Sequence, residues 1–400
     1  MSEVSETVRQ ILNEAVNGSI NNYAIKEHDK NKKGEGYLGD MCFVSLEEKH
    51  GDKYLEYVVK QALSTEEVRI LHPIRGYFLN EIHFYTVVWP HFQKFQNEKL
   101  DGKAFDAIPQ CVATSSEDKH ETLVLENLKF QGFQVHNKTK PLSKEQVDLI
   151  FKQYGRFHAI SFAYKFFYPE EYSEISSKLT NFWRNAINIK SWREFMDNVF
   201  ILSLEFLDPD EDNKVIEKYK VVSQSGMAVF HEKSQYKGSY SVVLHGDCWS
   251  NNMMFKYDEY NKLTDLRLID FQFSNVGTPV SDLSYFLYSG ATKEVLDDLD
   301  YYLRVYHESL TKTLHNFGCN SQNIYPFEVL KRDWKEYCKT GFGMALAIWK
   351  AKFTDQEDVK DLQDYAENTE IDVSDVKYDK ESYKKTVRNL ILHLYDNDFL

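Results

Sequence analysis

Val8, Ile11, Leu12, Ala15 and Val16 recur at the helical period, so residues 5–17 read as an amphipathic helix with one face to bury. The period then shortens to two. Residues 22–28, 41–47 and 54–60 read as strands, separated by a turn-rich loop over 31–40 and a turn at Gly51-Asp52. Phe78, Ile82, Tyr85 and Trp89 mark one face of a helix that is expected to stop before Pro90, and residues 122–125 form another strand. Beyond Pro141 the helical period dominates. A helix over 143–165 opens on a capping box of Ser143 and Gln146, two short strand pairs are expected around 241–256 and 264–270, and residues 282–351 and 382–400 are helical again. The segment 355–379 is acidic and poor in apolar residues, the pattern of a mobile surface stretch. This order predicts an α+β chain, a small sheet-based lobe joined to a larger helical one.

Composition narrows the function classes. The chain has 400 residues, 42% of them hydrophobic, enough for one large core or two linked ones. Lys and Arg number 48 against 62 Asp and Glu, a net charge of -14, which speaks against nucleic acid as a partner. No run near twenty apolar residues is free of charge, so no membrane span is expected, and no obligate protein partner is evident. The five cysteines form no CxxC pair, the usage of a reducing compartment, and with no secretory signal at Met1 to Ile20 a cytoplasmic location is expected. The 27 Phe, 26 Tyr and 6 Trp imply thick aromatic packing or an apolar ligand pocket.

The candidate chemistry lies at His245-Gly246-Asp247-Cys248-Trp249-Ser250-Asn251-Asn252, a polar loop between apolar stretches. Asp247 and Asn252 stand five apart, the spacing of the catalytic-loop Asp and Asn of protein kinases. A carboxylate there sits beside an attacking hydroxyl while a neutral amide oxygen reaches a magnesium ion. Ile269-Asp270-Phe271-Gln272 then ends a strand in Asp-Phe, where kinases carry a magnesium-binding Asp. Each motif alone also suits a turn or a strand end; their order favours phosphoryl transfer. Upstream, Gly34, Gly36 and Gly39 spell G-x-G-x-x-G between two strands, a pattern that also suits a hairpin turn. Lys60 ends an apolar strand and Glu81 lies on the next helix, so that a Lys60–Glu81 ion pair is expected if the two are not merely surface charges.

With Val58-Val59-Lys60, Phe78-Leu79-Asn80-Glu81-Ile82-His83-Phe84-Tyr85, Leu123-Val124-Leu125-Glu126-Asn127-Leu128 and the two downstream motifs, nearly the whole chain resembles the ecdysteroid-kinase-like (choline-kinase-like) family, related to aminoglycoside phosphotransferases and choline kinases. The resemblance implies a two-lobed protein-kinase-like fold, with residues 1–124 as a nucleotide-binding lobe, 125–129 as a hinge and 130–400 as the catalytic and substrate-binding lobe. It implies ATP and Mg²⁺ as cofactors. Asp247 would be the catalytic carboxylate, Asn252 and Asp270 the magnesium ligands, and Lys60 the phosphate-binding lysine with Glu81 as its partner. The nucleotide would meet the glycine loop and the hinge at Glu126 and Leu128. Asp282 is expected as an N-cap and brace, with His245 and His158 in structural roles. Asn127 and Gln272 depart from the commonest residues of the family and its relatives without removing a ligand. The implied activity is transfer of the γ-phosphoryl group to a small-molecule alcohol, first a steroid such as an ecdysteroid, in a pocket walled by aromatic helices over 151–167, 182–206 and 285–306. The alternatives are a choline or amino-alcohol kinase and a catalytically silent relative.

Overall fold

A computed structural model describes residues 5–28, 39–236, 238–354 and 377–400. The expectations for Gly34 and Gly36, and almost all of that for 355–379, lie outside the described residues. Helix α1 (Glu6–Ala15) starts at Ser5, whose hydroxyl accepts the Val8 N–H at 3.2 Å. A five-stranded antiparallel sheet follows, made of β1 (Tyr23–Glu27), β2 (Gly39–Glu48), β3 (Tyr54–Ala62), β4 (Cys111–Ser115) and β5 (Thr122–Glu126) in the order β1-β2-β3-β5-β4. Because successive side chains alternate between faces, Val44, Leu46, Tyr57, Val59 and Val124 form one core with Val8, Ile11 and Leu12 of α1. The same alternation puts Met41, Lys60 and Leu123 in one cross-strand row on the opposite face.

That opposite face meets α2 (Glu66–Leu71) and α3 (Ile74–His83), which continues through a wide π turn (Phe84–Val88) into α4 (Trp89–Lys99). The helix therefore does not stop before Pro90. The π turn resets the hydrogen-bond ladder, so Pro90 falls in the first turn of a fresh segment, where a missing N–H costs little.

The helical part comprises β6 (Phe133–Val135), α5 (Lys144–Phe167), α6 (Pro169–Ser176), α7 (Phe182–Ala186), α8 (Lys190–Leu204), α9 (Asn213–Gln224) and α10 (Gly226–Lys233). The Ser143–Gln146 capping box forms as the sequence predicts. Next come β7 (Val242–Leu244), β8 (Met253–Tyr257), β9 (Leu263–Leu268) and β10 (Asn275–Gly277). Then follow α11 (Pro279–Gly290), α12 (Lys293–Asp297), α13 (Leu299–Asn316), α14 (Ser321–Ile324), α15 (Phe327–Tyr337), α16 (Lys339–Phe353) and α17 (Lys380–Asp396). A second core runs unbroken from Ala62, Leu123 and Leu125 of the sheet through Phe78, Phe84 and Phe92 into α5, α11, α13 and α16.

Two further expectations are corrected. The strands flanking the 245–252 loop do not pair with each other: β7 pairs with β10, while β8 lies between β6 and β9. Gly246, at φ +85°, turns the chain beneath Phe273, where a Cβ would lie 2.0 Å from the Phe273 carbonyl oxygen, and this diverts the loop from a hairpin path. Asp282 is not an N-cap either, because Thr278 fills that position, accepting the Val280 N–H, and Pro279 opens α11. Among the described residues no helix is long and apolar enough to cross a membrane, and no disulfide joins the five cysteines.

Candidate active site

Lys60 leaves β3 on the inner sheet face, buried beside α3. Its ammonium lies 2.7 Å from Glu81 Oε2 and 2.8 Å from Asp270 Oδ1, so one cation joins the sheet, α3 and the end of β9. Burial works to lower the Lys60 amine, but the two carboxylates outweigh it and hold the lysine charged. Burial also presses the Glu81 carboxyl upward against the pull of Lys60. The second Glu81 oxygen accepts the Phe271 N–H at 3.2 Å, tying α3 to the residue after Asp270. The Phe271 ring stacks on Phe84 at 4.0 Å and is fully buried. Asp270 itself adopts φ +69°, a left-handed conformation that costs of the order of 1 kcal/mol in a residue other than glycine and is characteristic of functional sites.

The 245–252 loop is fixed from beneath by α11. Asp282, only 1% exposed, accepts the His245 N–H at 2.8 Å and the Gly246 N–H at 3.0 Å, and its Oδ2 lies 3.2 Å from His158 Nε2. Burial works to raise this carboxyl, yet the hydrogen bond and charge of His158, with the Cys248 hydrogen bond, hold it below its ordinary range. His245 accepts the Asp247 N–H on Nδ1 and donates from Nε2 to the Ile269 carbonyl at 2.9 Å; these partners assign the neutral Nε2–H form. The ring thereby links the Asp247 loop to the Asp270 segment, and burial lowers its basicity further.

Asn252 donates from Nδ2 to both the Asp247 carbonyl at 2.9 Å and Asp247 Oδ2 at 2.8 Å. Its Oδ1 is thus the end left for a cation. Asp247 is buried, and burial, followed by the nearby Asp270 charge, pushes its carboxyl up to about 7. Its other oxygen, Oδ1, accepts the Tyr285 hydroxyl at 2.8 Å.

Asp247, Asn252, Asp270, Lys60 and Glu81 therefore come together from separate elements. Of the nucleotide-site candidates, Gly39 opens β2 so close to its neighbours that a Cβ would meet the Gln61 carbonyl oxygen at 2.6 Å. Glu126 pairs across from Tyr57, three residues along β3 from Lys60, about 10 Å away. Its side chain accepts Gln110 N–H and Gln131 Nε2, so the carboxylate is committed to the fold. Leu128 is buried against Phe133 and Met254 in a turn that follows.

The donor set suits magnesium: an amide oxygen and a carboxylate are hard ligands, and Mg²⁺ commonly takes one or two such groups and completes its shell with phosphate oxygens and water. Among the described residues no three His, Cys, Asp or Glu side chains cluster in a way that could hold a metal ion by themselves.

Three neighbours of the site were not singled out by sequence reasoning for these roles. Tyr285 stands one helical turn after Asp282, a spacing that puts both on one face of α11. Asn80, beside Glu81, donates to the Gln272 and Ser274 carbonyls at 3.0 and 2.7 Å and accepts the Thr180 N–H at 2.8 Å. Trp183 of α7 donates to the Gly246 carbonyl at 3.0 Å and stacks on Phe273 at 4.8 Å. For Asn80 and Trp183 the local sequence carries no signal, because their partners are remote in the chain.

Among solved structures, the chain is similar to a mutant aminoglycoside 2'-phosphotransferase-IIIa in its GDP complex, with 13% identity, TM-score 0.42, and coverage of 94% of this chain and 93% of that one. It is also similar to choline kinase from Cryptosporidium parvum Iowa II, with 12% identity, TM-score 0.41, and coverage of 95% and 92%. No curated protein matches it. The model of the Ecdysteroid kinase-like family matches residues 33–319, well over half of the sequence, and the chain belongs to that family.

Proposed function

We propose that the protein is an ATP- and Mg²⁺-dependent small-molecule kinase that phosphorylates an alcohol. The observation that carries this reading is the convergence of Lys60, Glu81, Asp247, Asn252 and Asp270, linked through Lys60 to Asp270 and through Asn252 to Asp247. In this reading Lys60 binds the α- and β-phosphates, with Glu81 setting its position. Asn252 Oδ1 and Asp270 hold the metal, which when bound neutralises charge on the phosphates. Asp247 receives the acceptor's O–H, orients the oxygen toward the γ-phosphorus and takes the proton as the O–P bond forms and the bond to ADP breaks. Residues 1–124 and 130–400 act as the two lobes, with 125–129 as the hinge where backbone groups at Glu126 and Leu128 meet the base and Gly34, Gly36 and Gly39 cover the phosphates.

The acceptor class that we propose is a lipophilic alcohol, an ecdysteroid first. Its support is family membership together with the aromatic group of Trp183, Trp192, Phe195 and Phe273 that adjoins Gly246. The test is a panel of alcohols, including a polyhydroxylated steroid, choline and ethanolamine, incubated with MgATP and read by mass spectrometry for an added phosphate. Phosphorylation of the steroid, with a KM nearly indifferent to added NaCl, is the expected result, since burial of a carbon skeleton is not screened by salt. Efficient turnover of choline, with no phosphate on any lipophilic alcohol, refutes the acceptor; no transfer to any alcohol in the panel refutes the activity.

A further inference from the structure

Both oxygens of the Asp247 carboxylate already have donors within the protein. Asn252 Nδ2 reaches Oδ2 from the loop itself, Tyr285 Oη reaches Oδ1 from α11, and the Trp249 side chain also hydrogen-bonds the group. A carboxylate has about four lone-pair directions, so these three donors fix its plane and leave about one direction for a further hydrogen bond. The Tyr285 ring is only 4% exposed, and its hydroxyl spends its single proton on this bond.

The mounting of Tyr285 is rigid. It lies one turn beyond Asp282, which holds the His245 and Gly246 N–H groups, so one face of α11 grips the loop by its backbone and by its carboxylate. On the other side α16 closes in at Gly341, where a Cβ would lie 2.3 Å from the Ser284 carbonyl carbon and 2.5 Å from the Tyr285 nitrogen. Only glycine permits that approach, and it seats the Tyr285 backbone directly against α16.

We propose that Tyr285 is a positioning residue for phosphoryl transfer: its hydroxyl, opposite Asn252, locks the Asp247 carboxylate in the rotation that leaves its free lone pair for the acceptor's hydroxyl. This rests on the kinase reading above. Tyr285 touches neither substrate and acts through Asp247. Removing its hydroxyl frees the carboxylate to turn about the remaining bonds, and misplacing a catalytic group by a fraction of an ångström to 1 Å lowers the rate by about 10- to 100-fold.

The experiment follows transfer from γ-³²P-labelled ATP to the alcohol panel and to water, alongside calorimetric binding of MgATP and thermal unfolding. Tyr285→Phe is expected to lower kcat by at least about tenfold with KM and Kd for MgATP unchanged. Tyr288→Phe serves as a control: it removes a buried hydroxyl of the same helix bonded to Trp334 and His393, and is expected to affect unfolding but not kcat. In an Asp247→Asn background, Tyr285→Phe should cost nothing more, because the group it positions is gone. If Asp247→Asn retains wild-type turnover, the kinase assignment of Asp247 fails and this inference with it. If Asp247→Asn is inactive while Tyr285→Phe keeps wild-type kcat, or loses no more than Tyr288→Phe, only the positioning role is overturned.

Discussion

Replacing Asp282 by Asn tests how far the 245–252 loop depends on one buried carboxylate. Asp282 offers one oxygen to the His245 N–H and the other to the Gly246 N–H, while Oδ2 also faces His158. The amide keeps one acceptor and turns an NH₂ toward the second donor. The substitution therefore loses one hydrogen bond to a charged acceptor, about 1.5–3 kcal/mol, and strands a buried N–H, about 1–3 kcal/mol more. A net loss of about 3–5 kcal/mol is expected. With about 2.1 cal/mol/K of unfolding entropy per residue, 400 residues give about 0.8 kcal/mol/K, so Tm should fall by only about 4–6 °C. Activity should suffer more, because Gly246 adjoins Asp247: kcat is expected to fall by about 100-fold through misplacement of the carboxylate. Asp212→Asn provides the contrast, since it breaks the remote pair with Arg388 at 2.8 and 2.9 Å and should lower Tm while sparing kcat. Calorimetric unfolding and steady-state kinetics on both variants are the assay. An Asp282→Asn protein with wild-type Tm and kcat, or one whose kcat falls no further than that of Asp212→Asn, refutes the argument.

Asp247→Asn should abolish turnover and spare MgATP binding, because in the proposed mechanism the carboxylate handles the acceptor's proton and not the nucleotide; a rate within about tenfold of wild type, about 1.4 kcal/mol of barrier, contradicts this. Asp270→Ala should remove Mg²⁺-dependent nucleotide binding and Asn252→Ala should weaken it; unchanged calorimetric titrations in both would overturn their metal roles. Stability should also respond to Lys352, whose buried amine donates to the Ser289 carbonyl at 2.7 Å and is pushed down to about 7 by burial. The unfolded chain keeps this proton to the ordinary 10.5, so it binds more protons than the fold between about 7 and 10.5 and stability should rise with pH across that window. Lys352→Met should flatten the slope of the urea midpoint between pH 7 and 9, and an unchanged slope would show that the amine remains charged when buried.

The sequence carries the site better than it carries the connections around it. Period-two alternation locates β2 and β3 and puts Lys60 on the sheet face opposite Val59, and the spacing of Asp247, Asn252 and Asp270 is itself a local property. The pairing of β7 with β10 is not local, since it brings together Val243 and Val276 across the whole Asp247–Asp270 segment. Pro90 misleads for a different reason: the rule that proline ends a helix assumes an uninterrupted ladder, and the π turn at Phe84–Val88 breaks it beforehand. Tyr285 is within reach of helical spacing from Asp282. The bonds of Asn80 to Gln272, Ser274 and Thr180 are not, because each spans about a hundred residues or more.

Those bonds bear on control of the site. In protein kinases the helix that carries the glutamate is an adjustable part, and its position helps to set whether the enzyme is on. Here Asn80 fastens the equivalent helix, α3, to the segment after Asp270 and to the chain before α7, while its neighbour Glu81 holds both Lys60 and Phe271. Swinging α3 outward would break every one of these bonds and orphan a buried amide. The Lys60–Glu81 bond ties the sheet to the same assembly, so among the described residues α3, β3 and the segment after Asp270 are held to one another. Held in this way, the Lys60–Glu81 pair stands ready-made in the folded chain and does not wait on a movement of α3.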